Sequence, residues 1–507
     1  MRIAARVLIL LCLPFAAGIA ATSRIVLDPS NLGVAPIRKL SSSQFETSLD
    51  FKIAGIELEP VVVGSKTYLN VTAITPNPEK FGETGENGCP DLPVFSQLVG
   101  IPDQAGVRIE ILSSSCQIIN NYDVMPSQPP QVEGSAESLP FTRDEAAYQK
   151  NEFYPLELVQ LGEPIICRDL RMIQAVLNPI QYNPVTKQLK VYTSVDYRLV
   201  YEATDSRNVK IRRHNQISDA FLPLYRALVP NADEMLASYE PVRGGYLIIT
   251  PDAFVDTMKV LGRWKHLKGY SVVITKATDI DPGGNPTTND IFGYIQNAYD
   301  TWDAPPEFVC IAGDLNIGIP DYPYGSYSSD HEYSCVDGDD YFSDLMITRM
   351  SFPYNLTVAG RTMRKALVYD RNPYMGDPNY WLRGLSVAGN IEAVTPRLTT
   401  LWVRQQLMRH GYTRVDTVFG WEGYDPGATP INNALNTGVS VISYRGVAGA
   451  SGWGSPGYGQ GNIGGLTHGW KMGIMASLVC GTGMYGVDEC FGETWIRAWG
   501  TIGPCGG

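Results

Sequence analysis

Residues Val441–Gly454 read VISYRGVAGASGWG. Strand-like residues, VISYR, open into a run of glycines and small residues. A second stretch of the same kind, GIMASLVCGTG, runs from Gly473 to Gly483 and closes an apolar strand on Cys480. Strands of this type recur upstream, each separated by a helical segment: YLIITP from Tyr246, YSVVITKA from Tyr270, PEFVCIAGD ending at Asp314, LMITRM from Leu345 and WLRGLSVAG from Trp381. The helical segments show apolar spacing, as at Phe254, Met258, Leu261 and Trp264, or a Thr/Asn/Asp cap, as in TTNDIFGYIQNAYDTW. Near-continuous apolar strands alternating with helices predict a mostly parallel sheet covered by helices. Sites in such sheets lie outside the carboxyl ends of the strands. Gly446 to Gly449 and Cys480 to Gly483 both lie at such ends.

The texture before residue 209 is different. RIVLDP, DFKIAGIELEPVVV, TYLNVTAITP, VRIEILSS and KQLKVYTSVDYRLVYEA alternate with period two between Gly/Pro-rich turns. This predicts an all-β, antiparallel domain over 22–208. Residues 209–243 read as a partly helical connector. The α/β domain is expected over 244–507, with its closing elements missing after GTIGPCGG.

At 507 residues the chain exceeds a single core. A formal charge of −12, with no Lys/Arg-rich tract, excludes a nucleic-acid backbone as partner. The opening MRIAARVLILLCLPFAAGIAA has a basic start, an apolar core and small residues at its end. It reads as a secretory signal peptide over 1–21, which places the mature chain outside the cytoplasm, in the periplasm, at the bacterial cell surface or secreted. No later run is apolar and long enough for a transmembrane anchor. Eight cysteines follow the leader, and export predicts that some of them pair.

Cys480 has two readings. A thiolate at a strand end, facing the N–H groups of a glycine turn, is a nucleophile with oxyanion donors beside it. A cysteine ending an apolar strand is also a common structural residue.

The motifs, taken together, resemble the gingipain family of secreted bacterial cysteine peptidases, peptidase family C25. In that family one strand ends in Tyr-x-Gly-His-Gly, with Trp-Gly shortly after. The next ends in Cys-x-x-Gly and leads to Cys-Phe-Gly/Ala-Glu. YRGVAGASGWG, LVCGTG and ECFGETWIRA match in order, through Tyr444, Gly446, Trp453, Gly454, Cys480, Gly483 and Cys490–Glu493. SDHEYSCVDGDDYFSDLMITRMSF resembles the family's loop before its Ile-Gly-Arg-Phe strand, with Arg349 in place. GCPDLPVFSQLVGIPDQAGVRIEIL resembles its pro-region. The resemblance implies a caspase-like α/β catalytic domain, preceded by a β-rich pro-region that packs against it. It implies a protein or peptide substrate and hydrolysis through Cys480, with Gly446, Gly481 and Gly483 supporting the loop or the oxyanion. No cofactor is needed for that chemistry.

One position departs from the family. Val447 stands where the catalytic histidine is expected, and valine can neither accept nor donate the proton that acyl transfer moves. His331, in the polar loop after the Asp314 strand, is the substitute base considered first. His468 is a second, at the entering end of the Cys480 strand. The alternative function is a degenerate homologue that binds peptides or serves as a structural surface module. Asp314, Asp330, Asp337 and Asp339 are candidate ligands for a structural calcium ion, which the family often binds. The same acidic loop reads equally as a solvated surface. Arg207, Arg212, Arg213 and Arg243 are expected processing points.

Overall fold

The computed structural model describes residues 22–76, 82–130, 139–211, 215–389, 394–421 and 423–507. The expected leader, residues 1–21, lies outside the described residues, as do Arg212 and Arg213.

The N-terminal half is antiparallel β. Its longest strand, Gln188–Thr204, pairs with Glu46–Lys52, Ala105–Asn120 and Ile180–Asn183. Period-two alternation explains how one strand serves both core and surface. Leu189, Val191, Val195, Tyr197 and Leu199 are fully buried, while the residues between them are mostly half-exposed. These side chains meet Phe51, Phe95 and Ile173 in one core, in which Phe51 and Phe95 pack edge to face at 5.0 Å.

The connector is structured. Gln216–Ser218 and Glu240–Val242 pair in parallel. Between them, helices Leu222–Leu228 and Ala232–Leu236 bury Phe221, Tyr225 and Leu236 against Cys167, Leu170 and Met172 of the N-terminal domain.

The α/β half holds two four-stranded parallel sheets where the sequence predicts one. The first is built from β1 (Gly245–Thr250), β2 (Ser271–Lys276), β3 (Pro306–Ala312) and β4 (Met346–Met350), in the order β2-β1-β3-β4. The second is built from β5 (Arg383–Ala388), β6 (Arg414–Phe419), β7 (Val441–Arg445) and β8 (Ile474–Leu478), in the order β6-β5-β7-β8. The continuous apolar run of β1 follows from burial on both faces. Leu247 and Ile249 face the helix α2 (Thr288–Thr301) through its stripe Ile291 and Ile295. Ile248 faces the other way, toward Met258 and Leu261 of α1 (Val255–Leu267) and Ala359 of α3 (Leu356–Arg371). The helix α2 starts where Thr287 and Asp290 cap each other's backbone amides. The second sheet carries α4 (Thr395–Arg409), α5 (Thr429–Thr437) and α6 (Phe491–Arg497).

The expected disulfides are not formed. All eight described cysteines are free, with Cys89, Cys167, Cys310, Cys490 and Cys505 buried. Among the described residues no helix is long and apolar enough to cross a membrane.

Candidate active site

The register of the second sheet decides what stands beside Cys480. Arg445 at the end of β7 pairs with Leu478 at the end of β8. Two residues further on, each strand reaches Val447 and Cys480, outside the carboxyl ends. Gly481 has a left-handed φ of +80°, and a Cβ there would lie 3.1 Å from Gly449 Cα. The turn after β8 therefore rests directly on the loop after β7. Cys480 is exposed, and Val447 is 51% exposed.

Buried aromatic residues hold this arrangement. Tyr444 stacks on Trp453 at 4.3 Å with an interplanar angle of 4°. Its hydroxyl stands 2.7 Å from the Val447 carbonyl and 3.1 Å from the Ser455 carbonyl, fixing the loop from within. Trp453 Nε1 donates to Ser477 Oγ at 3.0 Å, and Thr482 Oγ1 donates to the same oxygen at 3.2 Å. Trp453 thus ties the β7 loop to the strand and turn that carry Cys480. Gly446 has a steric role, since a Cβ there would meet Gly389 Cα and Tyr444 Oη at 2.6 Å. Among the described residues, the amides of Gly481 and Gly483 have no hydrogen-bond acceptor. Open N–H groups beside a thiol are the donor type that stabilises an oxyanion.

The described histidines have other settings. His331 Nε2 lies 3.0 Å from the Tyr341 carbonyl and 3.6 Å from Cys335 Sγ, and its ring stacks on Tyr341. The thiol it meets is therefore Cys335, and burial pushes that thiol up to about 11. His468 is buried at the entering end of β8. Its Nδ1 donates to the Gly469 carbonyl at 2.9 Å, its Nε2 has no partner, and burial lowers its pKa to about 4. His266 and His410 are exposed at helix ends.

The four carboxylates expected to bind calcium do not converge. Asp330 makes a two-pronged ion pair with Arg349, at 2.7 Å for each contact. Asp337 pairs with Lys210 and accepts from the Tyr299 hydroxyl. Asp339 is exposed, and its amide donates to Asn208. Asp314 is buried against Arg497 at 2.7 Å. Among the described residues no group of three or more His, Cys, Asp or Glu side chains is placed to hold a metal ion.

The acidic loop instead receives the N-terminal domain. Asp344 is fully buried and accepts from the Arg168, Val336 and Asp337 amides at 2.6, 2.9 and 2.8 Å. The Arg168 guanidinium donates to the carbonyls of Pro306 and Asp344. Asp340 accepts from the Ile166 amide and the Asn208 side chain. Burial raises Asp344 to about 7, against the pull of its amide donors.

A second network was not visible in the sequence. Arg497 Nη2 reaches Asp314 at 2.7 Å, Ser351 Oγ at 2.7 Å and Glu493 at 2.6 Å, all of them buried. It joins α6, beside the second sheet, to the strand ends of the first. The one local clue is the spacing of Glu493 and Arg497, one helical turn apart in GETWIR.

Comparison with known proteins follows the same division. The family model "Peptidase family C25" matches residues 239–507, and the C25 propeptide model matches residues 31–220. The chain is similar to Gingipain R2 of Porphyromonas gingivalis, 26% identical over 492 residues, covering 93% of this chain and 64% of that protein. It is also similar to Lys-gingipain of Porphyromonas gingivalis, at 27% over 482 residues, covering 90% of this chain and 26% of that protein. The chain thus spans less than two thirds of these relatives. Among solved structures, it aligns with the Arg-specific cysteine proteinase gingipain R at 21% identity and a TM-score of 0.48, covering 53% of this chain and 62% of that one.

Proposed function

The chain belongs to peptidase family C25, and from that premise we propose that it keeps the family's thiol site at Cys480 but hydrolyses peptides feebly. One observation supports this reading: β7 and β8 pair as far as Arg445 and Leu478, and Val447 and Cys480 each follow two residues later. Thiolate attack on a peptide carbonyl would be assisted by the Gly481 and Gly483 amides. The Sγ–C bond would form while the carbonyl electron pair moves to oxygen. Collapse of that intermediate must expel an amine, and the amine needs a proton. Valine has none to give, and the His331 ring is engaged with Tyr341 and Cys335. The reaction is therefore expected to stall before the C–N bond breaks, leaving a site that meets peptides better than it turns them over. The N-terminal domain acts as a pro-region docked through Arg168, and the leader at 1–21 supports export.

The test uses the full chain, a broad peptide mixture and the Cys480→Ala variant, with iodoacetamide labelling mapped by mass spectrometry. The expected result is labelling at Cys480 with cleavage barely above that of the Cys480→Ala variant. Rapid cleavage by the unmodified chain, abolished by Cys480→Ala, would refute the reading and require a different proton donor.

A further inference from the structure

Away from Cys480, a second thiol stands beside an imidazole. His331–Ser334 form a short 3₁₀ turn, and Cys335 follows it directly. His331 Nε2 lies 3.6 Å from Cys335 Sγ and 3.0 Å from the Tyr341 carbonyl oxygen. The turn is fixed from beneath. Tyr333 is fully buried, and Ser334 Oγ donates to the His331 carbonyl at 2.6 Å and to Ser343 Oγ at 2.8 Å. Both donor side chains are reachable from solvent, since His331 is exposed and Cys335 is half-buried. A cavity of about 280 Å³ opens beside the ring, lined by Tyr324, Ser329, His331, Glu332 and Tyr341.

The separation of the two donors suits one class of ligand. Zinc bonds a thiolate sulfur at about 2.3 Å and an imidazole nitrogen at about 2.0–2.1 Å, in tetrahedral geometry. Those lengths at an angle of about 109° put sulfur and nitrogen about 3.6 Å apart. His331 and Cys335 hold that separation. A neutral imidazole carries its proton on either nitrogen, so Nε2 is free to ligate when the proton sits on Nδ1. Glu332, half-buried in the cavity wall, adds negative charge beside the thiol. Two side chains fill two of the four positions, and the cavity leaves the other two to water. Sulfur and nitrogen are soft donors, whereas calcium prefers oxygen, so this pair discriminates against calcium.

We propose that His331 and Cys335 form a binding site for a thiophilic divalent cation of the zinc class. As the Sγ–metal bond forms, the thiol proton leaves to solvent. The loop that starts at this turn carries Asp337, Asp340 and Asp344, which meet Lys210, Ile166 and Arg168. An ion at the turn would brace the start of that loop and stabilise the folded chain by mass action. The site is independent of the chemistry at Cys480.

The experiment uses the full chain, reduced and stripped by a chelator, with zinc, cobalt and calcium chlorides as probes. Cobalt stands in for zinc and reports a bound thiolate through its charge-transfer absorption. One equivalent of cobalt is expected to give that absorption, and zinc to abolish it by displacement. Zinc should raise the thermal midpoint with concentration, while calcium should not. Cys335→Ser and His331→Gln should each weaken zinc binding by about tenfold or more, since even loss of a partner behind a ligand costs that much. Both variants should melt with the parent when no metal is added, which shows that they fold. Cys116→Ser, at another exposed thiol, and Cys480→Ala should bind zinc as the parent does. Undiminished binding by Cys335→Ser or by His331→Gln would overturn the proposal. So would loss of binding in Cys480→Ala, or a parent chain that takes up no zinc.

Discussion

The two sheets of the α/β half have the same strand order, yet their corresponding strand ends differ in kind. In the first sheet, Ala312 pairs with Met350, and two residues on stand Asp314 and Phe352. The Asp314 amide donates to the Phe352 carbonyl, both residues are buried, and Arg497 seals the carboxylate. In the second sheet, the corresponding positions are Val447 and Cys480, and both are exposed. One pair of strand ends is buried under an ion network, and the other is exposed and carries a thiol. A doubly wound topology supplies places where a site can form, and the side chains at two positions decide whether one does.

The contrast is broken most severely at Arg497. Arg497→Leu removes the one basic partner that buried Asp314 has among the described residues and leaves Glu493 uncompensated. A loss of about 3–5 kcal/mol is expected in denaturant unfolding, as when one member of a buried pair is deleted. A loss below about 1 kcal/mol would show that the network does not hold the first crevice shut. Next in size is Asp344→Ala, which strips three amides of a buried acceptor. It should cost about 3 kcal/mol and speed protease cleavage between the N-terminal domain and the α/β domain. Unchanged cleavage would mean that the acidic loop does not carry the docking.

The smallest effect concerns the entering end of β8. His468 has a folded pKa near 4, below its ordinary value of 6.5. Between those values the unfolded chain binds the proton and the folded chain does not. Stability from this group is therefore complete above about 6.5 and declines as pH falls toward 4, by about 2 kcal/mol at pH 5. His468→Gln should flatten the midpoint-versus-pH curve in that window. A curve as steep as the parent's would place the titrating group elsewhere.

Much of the fold could be read in the sequence because periodicity reports burial. The alternation in KQLKVYTSVDYRLVYEA announced a half-buried antiparallel strand, and the continuous apolar runs of β1 and β3 announced strands covered on both faces. The split into two sheets was not readable, because hydrophobic runs do not say which strands are neighbours. At the site, Cys480 and Val447 were legible as paired strand ends, since each follows a strand by a fixed short distance. The fate of the acidic loop was not. Asp330, Asp337 and Asp344 look alike in the sequence; Arg349 lies in the same segment as Asp330, but Lys210 and the Arg168 amide, partners of the other two, are distant along the chain. Free cysteines also ran against expectation, because pairing depends on spatial proximity that an even count does not establish.

The central claim is that Cys480 lacks its proton donor because Val447 occupies the facing strand end. The most direct measurement is the rate of peptide cleavage by Val447→His relative to the unmodified chain, with Val447→His/Cys480→Ala as the blank. An imidazole placed there should raise the rate by about 10²–10⁴-fold, the usual worth of a positioned acid–base group, and the gain should vanish in the double variant. A folded Val447→His protein that cleaves no faster than the parent would contradict the account.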